Sequence, residues 1–389
     1  MKESSNATFI SNALASRKRS NRYRNITPYR FGLEPTIIST EDESFIDFSS
    51  NDYLGLSKHP TVIKASQRAI EHSGTGSTAS RLINGTYEDL QTLENELALF
   101  TQRPASLVFN SGFQANSSLF KALTTRHSVI LLDKLAHNSL LNGAFSSRAK
   151  TVRFAHNDIN DLERLLEKYS GNSDRIWVGT ESIFSMDGDR APLSAMNELA
   201  KSYGAFTYID EAHSIGLYGK NGGGLALNVP DVDILLGTFG KAFGSFGSFV
   251  ACSQPMREYL INFCEGLIYT TALPPSVIAA TRASLTLMPK LAYRRKSLHN
   301  NVGYMQKKLA ESGFQTKSDD SQIIPIEIGD ETATMALASC LRKNGMLATA
   351  IRPPTVPVNT CRIRITLSSE HSQKQLDTFL KTLKDCKNG

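Results

Sequence analysis

Two hydrophobic periods alternate along this chain. Short apolar runs at 106–109, 128–132, 151–154, 175–179, 206–210, 234–238 and 246–250 predict strands. Between the first of them, 112–123, 135–144, 159–169 and 193–203 carry apolar residues at helical spacing. Seven strands with intervening helices argue for an α/β core around a mostly parallel, covered sheet. Ahead of it, a short strand at 46–48 leads into Ser50-Asn-Asp-Tyr-Leu-Gly-Leu56. Helices at 61–72 and 87–101 then flank a loop of small residues, Ser73 to Ser80. After Pro289 the pattern changes: helix 291–312, strand 323–328, helix 333–344, strand 360–366 and helix 376–383. Residues 360–366 alternate as a half-buried strand should. The division expected is an N-terminal arm of helix and short strands at 1–49, a large α/β domain at 50–285 and a small α+β domain at 286–389.

The chemistry clusters at predicted strand ends, where an α/β sheet binds its ligands. Lys241 follows a small-residue turn in Thr238-Phe-Gly-Lys241, and Asp210 ends the run Phe206-Thr-Tyr-Ile-Asp210. A lysine there can form a Schiff base with a carbonyl cofactor, and an aspartate can hold a pyridinium nitrogen protonated. Together they point to pyridoxal phosphate. Ser111-Gly112-Phe113 sits where a strand turns into a helix, a place for a phosphate as well as for an ordinary capping serine. His137 could stack on the ring or serve structure alone. Ser185, after the strand ending near Gly179, could donate to the phenolic oxygen of such a ring or be an ordinary loop serine, and His213, three residues after Asp210 at the same strand end, would bond that oxygen. Arg364, in an alternating strand, suits a substrate carboxylate, whereas Arg352 could equally be a solvated charge.

Other readings fail on spacing. A phosphate-binding loop ending at Lys241 would need glycine where Leu235 stands and Ser or Thr where Ala242 stands. Without that loop, Asp210-Glu-Ala-His213 is not a helicase box. The Ser-x-x-Lys reading of Thr238 to Lys241 lacks its partner motifs.

Composition narrows the picture further. The chain has 389 residues, 40% hydrophobic and 21% charged, with no apolar run near the span of about 20 that a membrane helix needs. Its net charge of +6 is spread along the chain and does not suggest nucleic acid. The 5 cysteines include no CxxC pair, so neither a zinc site nor a disulfide framework is expected, and a reducing cytoplasm fits. The first thirty residues hold Arg17, Lys18, Arg19, Arg22, Arg24 and Arg30 against a single acid, Glu3. That resembles an organelle transit peptide; the preferred expectation is a basic amphipathic helix packed on the enzyme through Phe9, Ile10, Ala13 and Leu14.

The chain resembles the α-oxoamine synthases, fold-type I pyridoxal phosphate enzymes, over nearly its whole length. The matching stretches include Phe48 to Leu56, Ser111-Gly-Phe113, Phe184-Ser-Met-Asp-Gly-Asp189, Thr238 to Lys241 and Leu267 to Pro275. Phe154-Ala-His-Asn-Asp158 and Ile351-Arg-Pro-Pro-Thr-Val-Pro357 resemble the branch that serves biotin biosynthesis. The resemblance implies condensation of L-alanine with a pimeloyl thioester, carried by CoA or by an acyl carrier protein, with loss of CO2; the alternative is a related α-oxoamine synthase that uses another amino acid and acyl-CoA, like a glycine C-acetyltransferase or an autoinducer synthase. It implies that Lys241 tethers the cofactor and moves the α-proton, Asp210 pairs with the ring nitrogen, His213 and Ser185 contact the phenolic oxygen and His137 stacks. Gly112, Phe113 and Thr238 would hold the phosphate. Thr270 and Thr271 would reach the neighbouring subunit's phosphate, which implies a homodimer. Arg364 would anchor the amino-acid carboxylate, and Arg24, Asn51 and Thr355 would serve the acyl substrate. Glu211 stands where relatives often carry a second aspartate and is expected to point away from the ring. The loop Ser77-Thr-Ala-Ser80 carries less glycine than the biotin-branch enzymes often do.

Overall fold

The computed structural model describes residues 5–20, 22–316 and 319–388. Seven strands form its main sheet: β1 (Ala105–Phe109), β2 (Val129–Asp133), β3 (Lys150–Phe154), β4 (Ile176–Glu181), β5 (Phe206–Asp210), β6 (Ile234–Thr238) and β7 (Ser248–Cys252). Their order is β1-β7-β6-β5-β4-β2-β3. Strands β2 to β6 run parallel, and β7 lies antiparallel between β6 and β1. Every residue of β1, β2, β4, β6 and β7 is buried, which explains why they read as continuous apolar runs. Successive residues serve opposite faces: Leu235 joins one core with Phe239 and Phe249, while Ile234 and Leu236 join another with Leu119 and Phe120. Strand β3, at the sheet edge, is only partly covered.

Helices supply the cover. The N-terminal helix α1 spans Ser5–Arg19; α2 (Gly112–Leu123) follows β1, and α3 (Asn138–Ser146) follows β2. Helices α2 and α3 pack so closely that a Cβ at Gly143 would lie 2.0 Å from the Asn116 carbonyl oxygen. Farther along, α4 spans Glu331–Lys343 and α5 spans Gln373–Asn388. Helix α3 starts later than the expected 135, because the His137 ring accepts the Ser139 N–H at 3.2 Å and so caps the helix there.

A smaller antiparallel sheet holds β8 (Ile323–Gly329), β9 (Thr349–Ile351) and β10 (Cys361–Thr366), in the order β8-β10-β9. The half-buried reading of 360–366 needs correction: β10 is the central strand and is buried throughout. The short strands Arg30–Phe31, Ile37–Ser39 and Ser44–Asp47 form a further sheet, completed by Met346–Leu347. Backbone hydrogen bonds from Thr366 to Phe48 and from Ser369 to Tyr53, each 2.8 Å, dock the 48–56 stretch against the end of β10.

Two further expectations are overturned. Helix α1 forms, but it does not pack on this chain: Phe9, Ile10 and Leu14 are 74%, 57% and 46% exposed. Its apolar stripe specifies a helix and names no partner surface. Glu3 lies outside the described residues. A disulfide joins Cys340 of α4 to Cys386 of α5, with Cα atoms 5.8 Å apart. The two cysteines are 46 residues apart, so only the packing of α4 on α5 reveals the pair. Among the described residues, no helix is long and apolar enough to cross a membrane.

Candidate active site

The carboxyl ends of β2, β4, β5 and β6 meet at one place in the molecule. Asp210 is the last residue of β5 and is 4% exposed. One carboxylate oxygen accepts the Asn116 side-chain N–H at 2.8 Å, and the other accepts the Ala212 backbone N–H at 2.9 Å. Asn116 is itself fixed, donating to Ser139 Oγ at 2.9 Å and accepting from the Tyr208 hydroxyl at 2.5 Å. Ser139 Oγ in turn lies 2.7 Å from His137 Nδ1. A single polar chain therefore sets Asp210 and His137 together. His137 keeps surface contact with solvent, yet the atoms packed around its ring desolvate it enough to lower its pKa, with Asp210 opposing the fall and Lys241 adding to it.

Lys241 sits in the tight connection from β6 to β7, where the Gly244 N–H bonds the Lys241 carbonyl at 2.9 Å. Gly244 has φ +59, and a Cβ there would fall 2.1 Å from the Ser57 nitrogen. Glycine is thus required where the lysine loop meets the 48–56 stretch. Lys241 Nζ lies 2.8 Å from His213 Nε2, and His213 Nδ1 lies 2.6 Å from the Tyr53 hydroxyl. Burial is the largest cause that draws the Lys241 pKa down to about 8; Asp210 and Glu181 oppose the fall and Arg364 adds to it. Burial also pushes the His213 pKa well below its ordinary value, with Lys241 and Arg364 adding to the effect, so its ring is neutral. Glu181, opposite Asp210 in the β4–β5 register, is pushed well above the carboxylate range by burial and then by Asp210. Its Oε1 is buried without a partner.

Arg364 projects from β10 into the same region and is 7% exposed. It donates to the Ser185 carbonyl at 2.7 Å and to Thr366 Oγ1 at 2.9 Å. Ser185 itself is buried in the loop after β4. His156 braces that loop, with Nδ1 2.9 Å from Asp133 and Nε2 2.6 Å from Asp189. Its ring also meets the Phe184 ring edge-on at 4.4 Å. Its pKa stands near 10: burial acts to lower it, and the two aspartates outweigh burial.

On the other side, Ser111 caps α2 through its hydroxyl, which accepts the Gln114 N–H at 3.1 Å. The N–H groups that a helix cannot satisfy internally fall at Gly112 and Phe113. A Cβ at Gly112 would stand 3.7 Å from Thr238 Cγ2, so Thr238 borders this helix start. Thr271 pairs with Ser80 as an isolated bridge, and its carbonyl accepts the Asn110 side-chain N–H at 2.8 Å. Thr270 is half-buried beside it.

Lys241, His213, Asp210, His137, Ser185, Arg364, Gly112, Phe113 and Thr238 are thus gathered by the strand ends and β10. Asn51 joins them through Tyr53, whose hydroxyl donates to Asn51 Oδ1 at 3.2 Å. Arg24 and Thr355 do not join the cluster: both are exposed. Thr355 belongs to a turn closed onto the Arg352 carbonyl at 3.1 Å, and Arg352 reaches the Tyr23 carbonyl at 3.5 Å. Glu211 turns its carboxylate onto the 225–226 turn, accepting the Leu225 N–H at 3.0 Å and the Ala226 N–H. Sequence reasoning missed Tyr53, Asn116, Ser139, Tyr208, Glu181 and the brace at His156. Asn116 carried a usable signal, being one polar residue on a helix face with Leu119, Phe120 and Leu123.

The Aminotransferase class I and II family pattern matches residues 43–383. An 8-amino-7-oxononanoate synthase from Sodalis glossinidius is 43% identical over 97% of this chain and 96% of its own. A serine palmitoyltransferase from S. paucimobilis with a bound PLP–myriocin aldimine superposes with TM-score 0.91 at 28% identity, over 97% of this chain and 96% of its own. An 8-amino-7-oxononanoate synthase from Francisella tularensis superposes with TM-score 0.76 at 30% identity, over 88% of this chain and 97% of its own. The strand-end lysine and aspartate of this chain therefore sit on the scaffold of the class I and II aminotransferases, and within that family the chain belongs to the 8-amino-7-oxononanoate synthases.

Proposed function

We propose that this chain condenses L-alanine with a pimeloyl thioester, carried by CoA or by an acyl carrier protein, to give 8-amino-7-oxononanoate, CO2 and the free thiol. The observation that carries the reading is the Lys241 amine, held near neutrality at a pKa of about 8 and 2.8 Å from a neutral His213, beside Asp210. An amine of that kind can be both nucleophile and proton carrier near neutral pH.

The residues fit pyridoxal phosphate. Gly112 leaves the start of α2 open beside Thr238, which suits a phosphate ester. The carboxylate of Asp210 is aligned by two neutral N–H donors and retains acceptor capacity for a ring nitrogen. When bound, pyridoxal phosphate supplies an aldehyde for an amine and a ring that accepts the electron pair left at a substrate carbon. Asp210 would face the ring nitrogen, Ser185 and His213 the phenolic oxygen, and His137 the ring face. The guanidinium of Arg364, already aimed by Ser185 and Thr366, would hold the amino-acid carboxylate in a fork. Lys241 Nζ would then take the α-proton and return it after CO2 leaves. Asn51 would contact the acyl donor. Arg24 and Thr355 would serve its far end.

A homodimer completes this reading. Phe113, Tyr269 and Ile83 are 53%, 81% and 79% exposed close to the segment that carries Thr270 and Thr271. Large apolar side chains grouped in this way suit a second subunit, whose phosphate Thr270 and Thr271 would reach. The Cys340–Cys386 pair takes away the cysteine argument for a reducing compartment, so a cytoplasmic enzyme rests on the resemblance to the biotin-branch synthases alone, with a large unit at 50–285 and a small one at 286–389.

A thioester panel with L-alanine, glycine and L-serine tests the proposal, with mass spectrometry of the amino ketone as readout. Pimeloyl thioesters with L-alanine are expected to turn over fastest. Fast turnover of decanoyl-CoA with none of pimeloyl thioesters would overturn the substrate assignment. A Lys241→Ala protein that kept the visible band of the cofactor would overturn the role of the lysine.

A further inference from the structure

Strand β10 turns two arginines to the same side. Side chains alternate along it, so Ile363 and Ile365 enter the core with Ile324 and Ile326, while Arg362, Arg364 and Thr366 share the opposite face. The loop after β4 lies across that face. Its Ser185 carbonyl accepts the Arg364 Nε–H at 2.7 Å, and two residues on, the Asp187 carboxylate pairs with Arg362 Nη1. Next in the chain, Gly188 sits so close to β8 that a Cβ there would collide with the Ile323 carbonyl oxygen. The base of the loop is held separately, by His156 and by Asn157, whose side-chain N–H groups reach Asp189 at 3.0 Å and the Arg190 carbonyl at 3.1 Å.

The two arginines differ in their partners. Arg362 is matched by Asp187, and Glu327 stands opposite it in the β8–β10 register. Across from Arg364 the same register places Pro325, and β9 places Thr349. Among the described residues no carboxylate pairs with Arg364; its contacts are the Ser185 carbonyl, Thr366 Oγ1 and the Tyr53 phenol. A guanidinium has five N–H donors. Those three acceptors take one each, which leaves two, the number that a carboxylate fork needs. Which two remain, and where they point, depends on the Ser185 carbonyl staying in place. The ion pair of Asp187 with Arg362 is the charged contact that keeps it there.

We propose that Asp187 is a positioning residue for amino-acid binding: its ion pair with Arg362 seats the 184–190 loop on β10 and so fixes the direction in which Arg364 presents its guanidinium. The proposal rests on Arg364 being the carboxylate anchor. It accounts for the division of labour between the arginines, since Arg362 already has its carboxylate and Arg364 waits for one. Asp187 acts through Arg364 and not on the substrate.

The test uses the full-length protein loaded with pyridoxal phosphate, without thioester. Binding of L-alanine is followed by the change in the visible spectrum. Ethylamine, which carries an amine but no carboxylate, is titrated beside it. Asp187→Asn keeps the size of the side chain and removes its charge. The Kd for L-alanine should rise about tenfold, the scale of a weakened charge-assisted hydrogen bond, while that for ethylamine stays within about twofold. Combined with Arg364→Lys, Asp187→Asn should add nothing to the loss caused by Arg364→Lys alone, because both act on one guanidinium. Equal weakening of the two ligands, an unchanged Kd for L-alanine, or additive losses in the double variant would overturn the proposal. If Asp187→Asn does not fold, Arg362→Lys takes its place, with the same expected split between the ligands and the same overturning results. Arg364→Lys alone separates this proposal from the reading beneath it. If that variant binds L-alanine as wild type does, the carboxylate assignment falls and takes the proposal with it. A loss there beside an unchanged Asp187→Asn refutes the role of Asp187 alone.

Discussion

Replacing His156 with glutamine removes a cation from between a buried and a half-buried carboxylate. The ring bridges Asp133, whose side chain is 0% exposed, and Asp189, which is 16% exposed. Folding raises the His156 pKa from 6.5 to about 10. At 1.36 kcal/mol per pH unit, that rise corresponds to a ceiling of roughly 5 kcal/mol. The ring is 25% exposed, so solvent screening brings the expected value down to roughly 2–3 kcal/mol. A raised pKa fixes the sign. The contribution is complete below 6.5 and drains away as pH climbs through about 10. Urea unfolding of wild type and His156→Gln at pH of about 6, 8 and 10 measures it. The stability gap should be about 2–3 kcal/mol at the lowest pH and under about 1 kcal/mol at the highest. Taking the difference between the two proteins cancels the other groups that titrate in this range. A gap of the same size at all three pH values would refute the charged-brace reasoning, because a neutral packing contact has no reason to follow pH.

Three other substitutions probe different parts of the site. Arg364→Lys keeps the charge but loses the fork that Ser185 and Thr366 aim, so KM for L-alanine should rise about 10–100-fold with a smaller fall in kcat; an unchanged KM counts against the carboxylate assignment. Gly143→Ala puts a Cβ 2.0 Å from the Asn116 carbonyl oxygen, forcing α3 off α2 at a cost of about 1–3 kcal/mol, to be seen as a lower unfolding midpoint. Asn116→Leu removes the donor to Asp210 and to Ser139, so activity should fall about 10–100-fold while the secondary structure seen by circular dichroism is kept.

Much of this arrangement is legible in the sequence because period and burial agree. Strands such as Ile234–Thr238 are buried on both faces, so their composition alone announces them. Asp210 and Lys241 stand out because a charged residue directly after an apolar run falls at a strand end, where side chains meet ligands. The misses have a common physical origin in partners far away along the chain. Tyr53 reads as one more aromatic residue until β10 docks the 48–56 stretch. The central position of β10 is invisible locally, since β8 and β9 approach from opposite sides. The Cys340–Cys386 pair needs two helices to meet. The stripe of α1 encodes a helix faithfully, yet the surface that would cover it is not written within those residues.

Asp210 and Glu211 are neighbours with opposite obligations. The first faces Lys241, while the second is 0% exposed and closes its own carboxylate over the turn at Leu225 and Ala226, with a pKa lifted to about 7 mainly by burial. That turn leaves no room for exchange, since a Cβ at Gly224 would lie 2.6 Å from the Glu211 carboxylate. In a deep mutational scan that scores cellular abundance and biotin-independent growth separately, these adjacent codons should therefore part company. Variants at 210 would accumulate as protein yet fail to support growth. Variants at 211 would be cleared by proteolysis before growth is ever tested.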